Sequence, residues 1–298
     1  YTELVKKNPK ITAAYVNLAA AYAGLGKSKE EMESLRQAAA LAPHEPVVRF
    51  NLGAAYEKRN MFEQALSEYE QVLKLNPQNF DAMERIAELS LKAHKFNQAV
   101  SYLEKLVSKF PQRAALFVHL GYAYGELKKY ALSAQNYEKA IKLGAKSSTL
   151  HYNLAYAYQQ LGREKEAMAH YEQVTPPTKE TLSLIGHFYL KEKNFKKALT
   201  CFQRIVKLEP QQASSYASLG YAYAVAGRWD QAIENYLLAL GLDQEDSETY
   251  AHLGEAYEKK GLYQEALKAY TTAYELNPES AQAARGIPRV KILLLQQQ

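Results

Sequence analysis

The residues of this chain that could do covalent or metal chemistry are seven histidines, one cysteine and a scatter of carboxylates. The histidines are His44, His94, His119, His151, His170, His187 and His252. No two stand four apart, as a helical zinc site requires, and none joins Cys201 in a cysteine–histidine cluster. Cys201 has no base beside it in sequence to activate its thiol. The glycines form no phosphate-cradling loop ahead of a helix, and no GxSxG elbow is present. The expectation is therefore no catalytic residue, no metal ligand and no cofactor. What remains is the chemistry of non-covalent recognition. The chain carries 24 tyrosines, each a stiff apolar face with a hydroxyl at its tip. Asparagine can donate and accept toward a peptide backbone. The candidate contact residues are Asn17, Asn51, Arg85, His119, Tyr122, Tyr152, Asn153, Tyr156, His187 and Tyr221.

These residues belong to a repeating frame. Residues 247–280 show it most cleanly, with small and apolar residues at Tyr250, Leu253, Gly254 and Tyr257, then at Ala266, Tyr270 and Ala273. Both sets step by three or four, the period of a helix face. Gly261 parts them and Pro278 closes the unit, so two helices and two turns are expected in each 34 residues. Eight such units follow one another at 12–45, 46–79, 80–113, 114–147, 148–178, 179–212, 213–246 and 247–280. Counted from the start of each unit, position 7 is always Leu or Ile. Position 8 is always small: Ala19, Gly53, Ala87, Gly121, Ala155, Gly186, Gly220 and Gly254. Position 20 is small in all units but the first, where Glu31 stands. A small residue lets two helices cross closely.

The pattern resembles the tetratricopeptide repeat, a helix-turn-helix solenoid unit of the same period. The resemblance implies an all-α, right-handed superhelical solenoid in which the first helix of each pair lines a concave groove. It also implies a protein-interaction scaffold rather than an enzyme. Asn17, Asn51 and Asn153 share position 6 with Arg85, His119 and His252, and Tyr122, Tyr156, His187 and Tyr221 share position 9. Helical geometry of about 100° per residue places both positions opposite the buried stripe. Tyr152, at position 5, flanks them. The family's clamp for a C-terminal carboxylate wants Lys at position 5 and Asn at position 9, and this chain has neither at any unit. A chaperone-tail function is therefore not expected.

The departures from the pattern carry their own expectations. Glu31 between two helices predicts a looser or shifted first pair. Gly144 and Gly241 are expected to end their second helices, and Pro176-Pro177 to cut short the second helix of unit 148–178. Residues 1–11 read as the end of a preceding repeat, with Tyr1, Leu4 and Val5 in its core, which suggests a piece of a longer array. Residues 281–298 read as a capping helix or tail, interrupted at Pro288.

Charge is uneven. Residues 1–147 hold 21 Lys and Arg against 15 Asp and Glu, and residues 213–280 hold 4 against 11. An acidic end and the lack of recurrent basic groove positions disfavour RNA or DNA binding. No apolar run approaches the 18 residues of a membrane span, so a soluble chain is expected, in the cytoplasm or the periplasm. With one cysteine there is no intrachain disulfide. The partner expected is a protein or peptide segment. Alternatives are self-association of the array, and a periplasmic scaffold segment of an envelope or polysaccharide-export protein.

Overall fold

A computed structural model of the chain describes Glu3, Val5 and residues 8–297. Tyr1 and Leu4, assigned above to a preceding repeat, lie outside the described residues. Seventeen helices and no strand are present among the described residues. They are α1 (Thr12–Gly24), α2 (Ser28–Leu41), α3 (Pro46–Glu57), α4 (Phe62–Leu75), α5 (Phe80–Lys92), α6 (Phe96–Lys109), α7 (Ala114–Glu126), α8 (Tyr130–Lys142) and α9 (Ser148–Gln160). There follow α10 (Glu164–Tyr171), α11 (Lys179–Lys191), α12 (Phe195–Leu208), α13 (Ala213–Val225), α14 (Trp229–Leu242), α15 (Ser247–Lys259), α16 (Tyr263–Leu276) and α17 (Ala281–Gln296). They fall into two compact units, Tyr1–Ala167 and Met168–Gln298.

The turn inside each pair is set by one backbone conformation. Position 15 is left-handed in all eight repeats: φ is positive at Gly26, Asn60, His94, Lys128, Gly162, Lys193, Gly227 and Gly261. Four of the eight are not glycine, so the turn is imposed by the packing of the pair as well as by residue type. Aromatic residues at position 17, such as Phe62, Phe96, Phe195 and Trp229, open the second helices and are half-buried there.

Packing within a pair centres on positions 8 and 24. A Cβ placed on Gly53, Gly121, Gly186, Gly220 or Gly254 would lie 2.8–2.9 Å from the ring of Tyr69, Tyr137, Phe202, Tyr236 or Tyr270 respectively. Each ring lies on the glycine of its own repeat and is fully buried. Where position 8 is Ala19 or Ala87, position 24 is Leu35 or Leu103. In those two repeats the exchange offsets the added methyl with a smaller partner; repeat 148–178 does not follow it, having Ala155 at position 8 and Tyr171 at position 24.

Between repeats a polar link recurs. The position-11 hydroxyl of one repeat meets position 25 of the repeat before it: Tyr124 donates to Glu104, Tyr158 to Glu138 and Tyr189 to Glu172. At Tyr223 the partner is Gln203, whose amide donates to the phenol at 3.1 Å. Where position 11 is Ser90, the link runs to Glu70 through Gln98, at 3.1 and 3.0 Å.

Three local expectations are corrected. Glu31 is buried, and the next repeat supplies its counter-charge: Arg59 Nη2 lies 2.9 Å from the Glu31 carboxylate. Arg59 also donates to the carbonyls of Ser28 and Ala55. The cost of burying the carboxylate is offset by an ion pair with satisfied donors rather than by loosening the helices. Gly241 does not end its helix; it stays within α14, while Gly144 does turn left-handed after α8 with φ 93°. Pro288 does not interrupt α17, which runs unbroken over 16 residues. The lost backbone hydrogen bond is tolerated because Ala283, Gly286 and Val290 bury that face of α17 against α16. Gly286 makes the closest approach, since a Cβ there would meet the Tyr270 ring at 2.6 Å. Tyr270 is thus held between Gly254 and Gly286.

Two substitution sets test this packing. Gly286→Ala is expected to cost about 1–3 kcal/mol by overpacking the Tyr270 ring. Gly241→Ala, where a Cβ meets nothing within 4 Å, should instead gain up to about 1 kcal/mol of helix propensity. Equal effects in thermal melts would show that the Tyr270 contact is not limiting. Arg59→Ala should cost about 2–4 kcal/mol, because it leaves the buried Glu31 carboxylate only the exposed Lys58, 3.8 Å away. Glu31→Ala restores the small residue used at position 20 elsewhere and should cost under about 1 kcal/mol. The double variant in urea unfolding should resemble Glu31→Ala; additive losses would mean the two residues act independently.

Candidate peptide-binding surface

The first helices bury positions 3, 7, 8 and 10 in most repeats, half-bury positions 4 and 11, and leave positions 5, 6 and 9 more open, with Ala251 a buried exception. The two units present separate parts of this surface. In unit Tyr1–Ala167, Asn17 is exposed and lines a cavity of about 450 Å³ with Thr12, Val16, Glu45 and Val48. Asn51 and His119 are half-buried. Arg85 is turned to its own chain, 3.0 Å from Glu88 and 3.8 Å from Glu57. Asn153 donates to the Tyr137 phenol at 3.2 Å. Tyr122 packs edge-on against Phe96, and Tyr156 against Tyr130, each with ring centres 6.0 Å apart. In both pairs a position-9 ring leans on the position-17 ring of the preceding repeat. Tyr156 remains 44% exposed and Tyr152 38%.

In unit Met168–Gln298, His187 and Tyr221 come together in one cavity of about 520 Å³, lined also by Ser214, Ser218, Glu248 and His252. His187 Nδ1 sits 2.8 Å from the Ser183 carbonyl, which can only accept. In the neutral ring Nδ1 therefore carries the proton and Nε2 is left to accept from a ligand. The His187 ring also stands edge-on to Phe202 at 5.2 Å. Tyr221 faces His252 at 5.8 Å, and His252 stacks on the buried Tyr236 ring at 6.0 Å. Glu248 lies 3.8 Å from His252 Nε2 and is largely in solvent. Asp246 is already engaged, capping α15 through the Thr249 amide and hydroxyl. A smaller cavity of about 160 Å³ adjoins, walled by Tyr221, Trp229, Tyr236 and His252. The arrangement offers two imidazoles, a phenol and a carboxylate around an apolar floor. That suits hydrogen bonding and ring stacking with a peptide.

The sequence reading left His252, Glu248 and Trp229 out of its candidate set. His252 shares position 6 with the asparagines, so its place was readable; Glu248 and Trp229 enter from a neighbouring turn and a second helix, which no single repeat position signals. No group of three or more His, Cys, Asp or Glu able to hold a metal occurs among the described residues. No helix among them is long and apolar enough to cross a membrane.

Paired helices on a recurring period, closed by a ring or a leucine against a small residue, define the all-α solenoid repeat proteins. The sequence pattern of the tetratricopeptide repeat matches residues 12–45, 114–145, 148–175 and 180–212, and further patterns of that repeat match 60–120, 225–261 and 247–280. The chain belongs to the tetratricopeptide repeat family. It is similar to MamA (residues 41 to the end) from Desulfovibrio magneticus RS-1, at 24% identity over 55% of this chain and 92% of that one, with a TM-score of 0.51. The C-terminal part of a TPR repeat-containing protein from Cytophaga hutchinsonii is 18% identical over 69% of this chain and 84% of its own, with a TM-score of 0.53. The Naa15/Naa10 structure bound to HypK-THB is 12% identical, covering 97% of this chain and 62% of that one, with a TM-score of 0.54. These likenesses bear on the fold. No curated protein matches the chain.

Buried phenols beside this surface give a pH signature. Burial, reinforced by the hydrogen bonds to Glu104 and Glu138, raises Tyr124 and Tyr158 from the ordinary 10.0 to about 12. Between those values the unfolded chain has lost phenol protons that the folded chain keeps. Stability is therefore full below pH 10 and falls as pH rises toward 12. Urea midpoints across this window should decline, and the paired change Tyr124→Phe and Tyr158→Phe should make the decline shallower, the remainder coming from Tyr69, Tyr137, Tyr236 and Tyr270, which burial also raises. An unchanged slope in that variant would assign the loss to other groups.

Proposed function

We propose that this chain is a non-enzymatic scaffold that holds a peptide or protein segment against the exposed rings of its first helices, bringing partners into a complex. The tetratricopeptide fold generally mediates protein–protein interaction and complex assembly. One observation carries the finer reading. Alternate rings on the same helix have opposite fates: Tyr158 at position 11 is 4% exposed, whereas Tyr156 at position 9 is 44% exposed. Tyr221, also at position 9, is 41% exposed beside the His187–His252 cavity. A large aromatic face kept in water at a repeated position is a feature of binding surfaces, where such rings act as anchors with few rotors to immobilise. The edge-on contacts with Phe96 and Tyr130 fix the orientation of Tyr122 and Tyr156 without covering them, which lowers the entropy lost on binding.

Photocrosslinking tests the assignment. The photoreactive residue p-benzoylphenylalanine placed at Tyr156 or Tyr221 in the native cell should yield discrete protein adducts. Placed at the exposed Lys268 on a second helix it should not. Tyr156→Ala with Tyr221→Ala should weaken the captured partner by about 2 kcal/mol or more, roughly thirtyfold, with helicity intact. Adducts confined to position 268, or unaltered affinity in the folded double variant, would move recognition off the first helices.

A further inference from the structure

The second helix of repeat 148–178 is unlike its neighbours. Whereas α4, α6, α12, α14 and α16 each run for 14 residues, α10 has 8 and stops at Tyr171. Beside its end, unit Met168–Gln298 has a cleft of about 640 Å³, lined in part by Glu172, Val174, Thr175 and Pro177 of the segment that follows α10. Its floor is apolar and comprises Tyr171, Val174, Leu182, Ile185 and Cys201, all buried residues that reach the cleft. One wall is the face of α12 carrying Lys196, Lys197, Thr200 and Arg204. The single carboxylate of the cleft, Glu172, is taken: it accepts from the Tyr189 phenol and lies 3.9 Å from Lys197 Nζ. Lys197 in turn donates to the Tyr189 phenol at 2.8 Å. Lys196 and Arg204 have no carboxylate partner among the described residues.

We propose that this cleft is a second docking site, distinct from the first-helix surface, for an acidic amphipathic helix of a partner protein. The incoming helix would lie over the cleft, alongside α12. Its apolar side chains would cover Leu182, Ile185 and Cys201, and its carboxylates would meet Lys196 and Arg204. Those two residues are eight apart on α12, so their backbones are separated by about 12 Å along the axis. A partner helix presenting acids seven or eight residues apart, with leucine-like residues between them, matches both the charge and the floor. Charge complementarity argues for this occupant over a basic or neutral segment, and it makes the docking salt-sensitive.

The test is selection of random twelve-residue peptides displayed on phage, using the intact chain as bait. Enriched peptides should pair Asp or Glu with Leu, Ile or Phe at helical spacing. Their affinity, read by fluorescence anisotropy, should fall at least tenfold in the joint variant Lys196→Glu and Arg204→Glu, and again in Thr200→Trp, which fills the cleft. It should be unchanged in Tyr221→Ala, so a failure of the first-helix reading would not affect this result. Both charge reversals are at exposed, unpaired sites, and unchanged melting confirms the fold; Lys196→Ala with Arg204→Ala gives a milder second check. Enrichment of basic or unbiased peptides would overturn the proposal, as would no enrichment or binding lost in Tyr221→Ala. So would a concentration-dependent dimer, disrupted by Thr200→Trp, in which a second copy covers the cleft.

Discussion

The fold of each repeat depends on how closely the position-24 side chain can lie against position 8. When position 8 is glycine, a whole aromatic ring fits with no Cβ beneath it, as at Gly53 with Tyr69 and Gly220 with Tyr236. When it is alanine in the first and third repeats, the partner shrinks to Leu35 or Leu103. In these repeats the size at one position is matched by the size at the other, while repeat 148–178 has Ala155 and Tyr171 at the two positions. A buried Tyr then needs a partner for its hydroxyl, and the neighbourhood supplies one. Tyr69 and Tyr270 donate to Glu57 and Glu258 at 3.0 Å, one turn beyond the glycine on the first helix. Arg289 closes the second of these networks from α17 at 2.6 Å. A steric rule within the pair thus generates a polar rule around it.

The same ring couples the core to the outer surface. Position 6 of the following repeat sits against it: Asn153 hydrogen-bonds Tyr137, and His252 stacks on Tyr236. Residues read from sequence as ligand contacts are therefore partly structural. Arg85 has gone furthest that way, with both of its carboxylate neighbours inside the chain. Position 9 has no such tie to the core of the preceding pair. Tyr122 and Tyr156 lean instead on the position-17 rings Phe96 and Tyr130, and Tyr156 and Tyr221 retain much of their surface. This division explains why position 9, rather than position 6, offers the freer surface for a partner.

Fold class and family were legible because period, small residues and turn residues repeat at fixed positions, and repetition makes each weak signal additive. What was not legible pairs different positions across repeats. The hydroxyl of Tyr124 and the carboxylate of Glu104 lie twenty residues apart, and neither type is required at its position in every repeat. Glu31 read alone is a buried charge with no remedy; its remedy, Arg59, lies in the turn of the next repeat. Gly241 and Pro288 were misread for a related reason. Each is a helix breaker by local propensity, and each is overridden by the packed helix in which it sits. On the binding surface, the residue positions were readable but their exposure was not, since exposure depends on the neighbour's side chain.

The short repeat shows which of these constraints is indispensable. Although α10 ends at Tyr171, the next three residues still keep the inter-repeat contacts that a full helix would make. Glu172 accepts from Tyr189, as Glu104 and Glu138 do from their tyrosines. Val174 is buried, at the repeat position held by the equally buried Val72 in α4. What is lost is the helical backbone beyond that point, the stretch that in the full-length helices carries Leu73 and Val107 against the core. The chain therefore preserves the interface between first helices and the preceding second helix while dispensing with the last turns. The Glu172 and Val174 contacts thus hold without those turns, beside a cleft with an apolar floor and a basic wall.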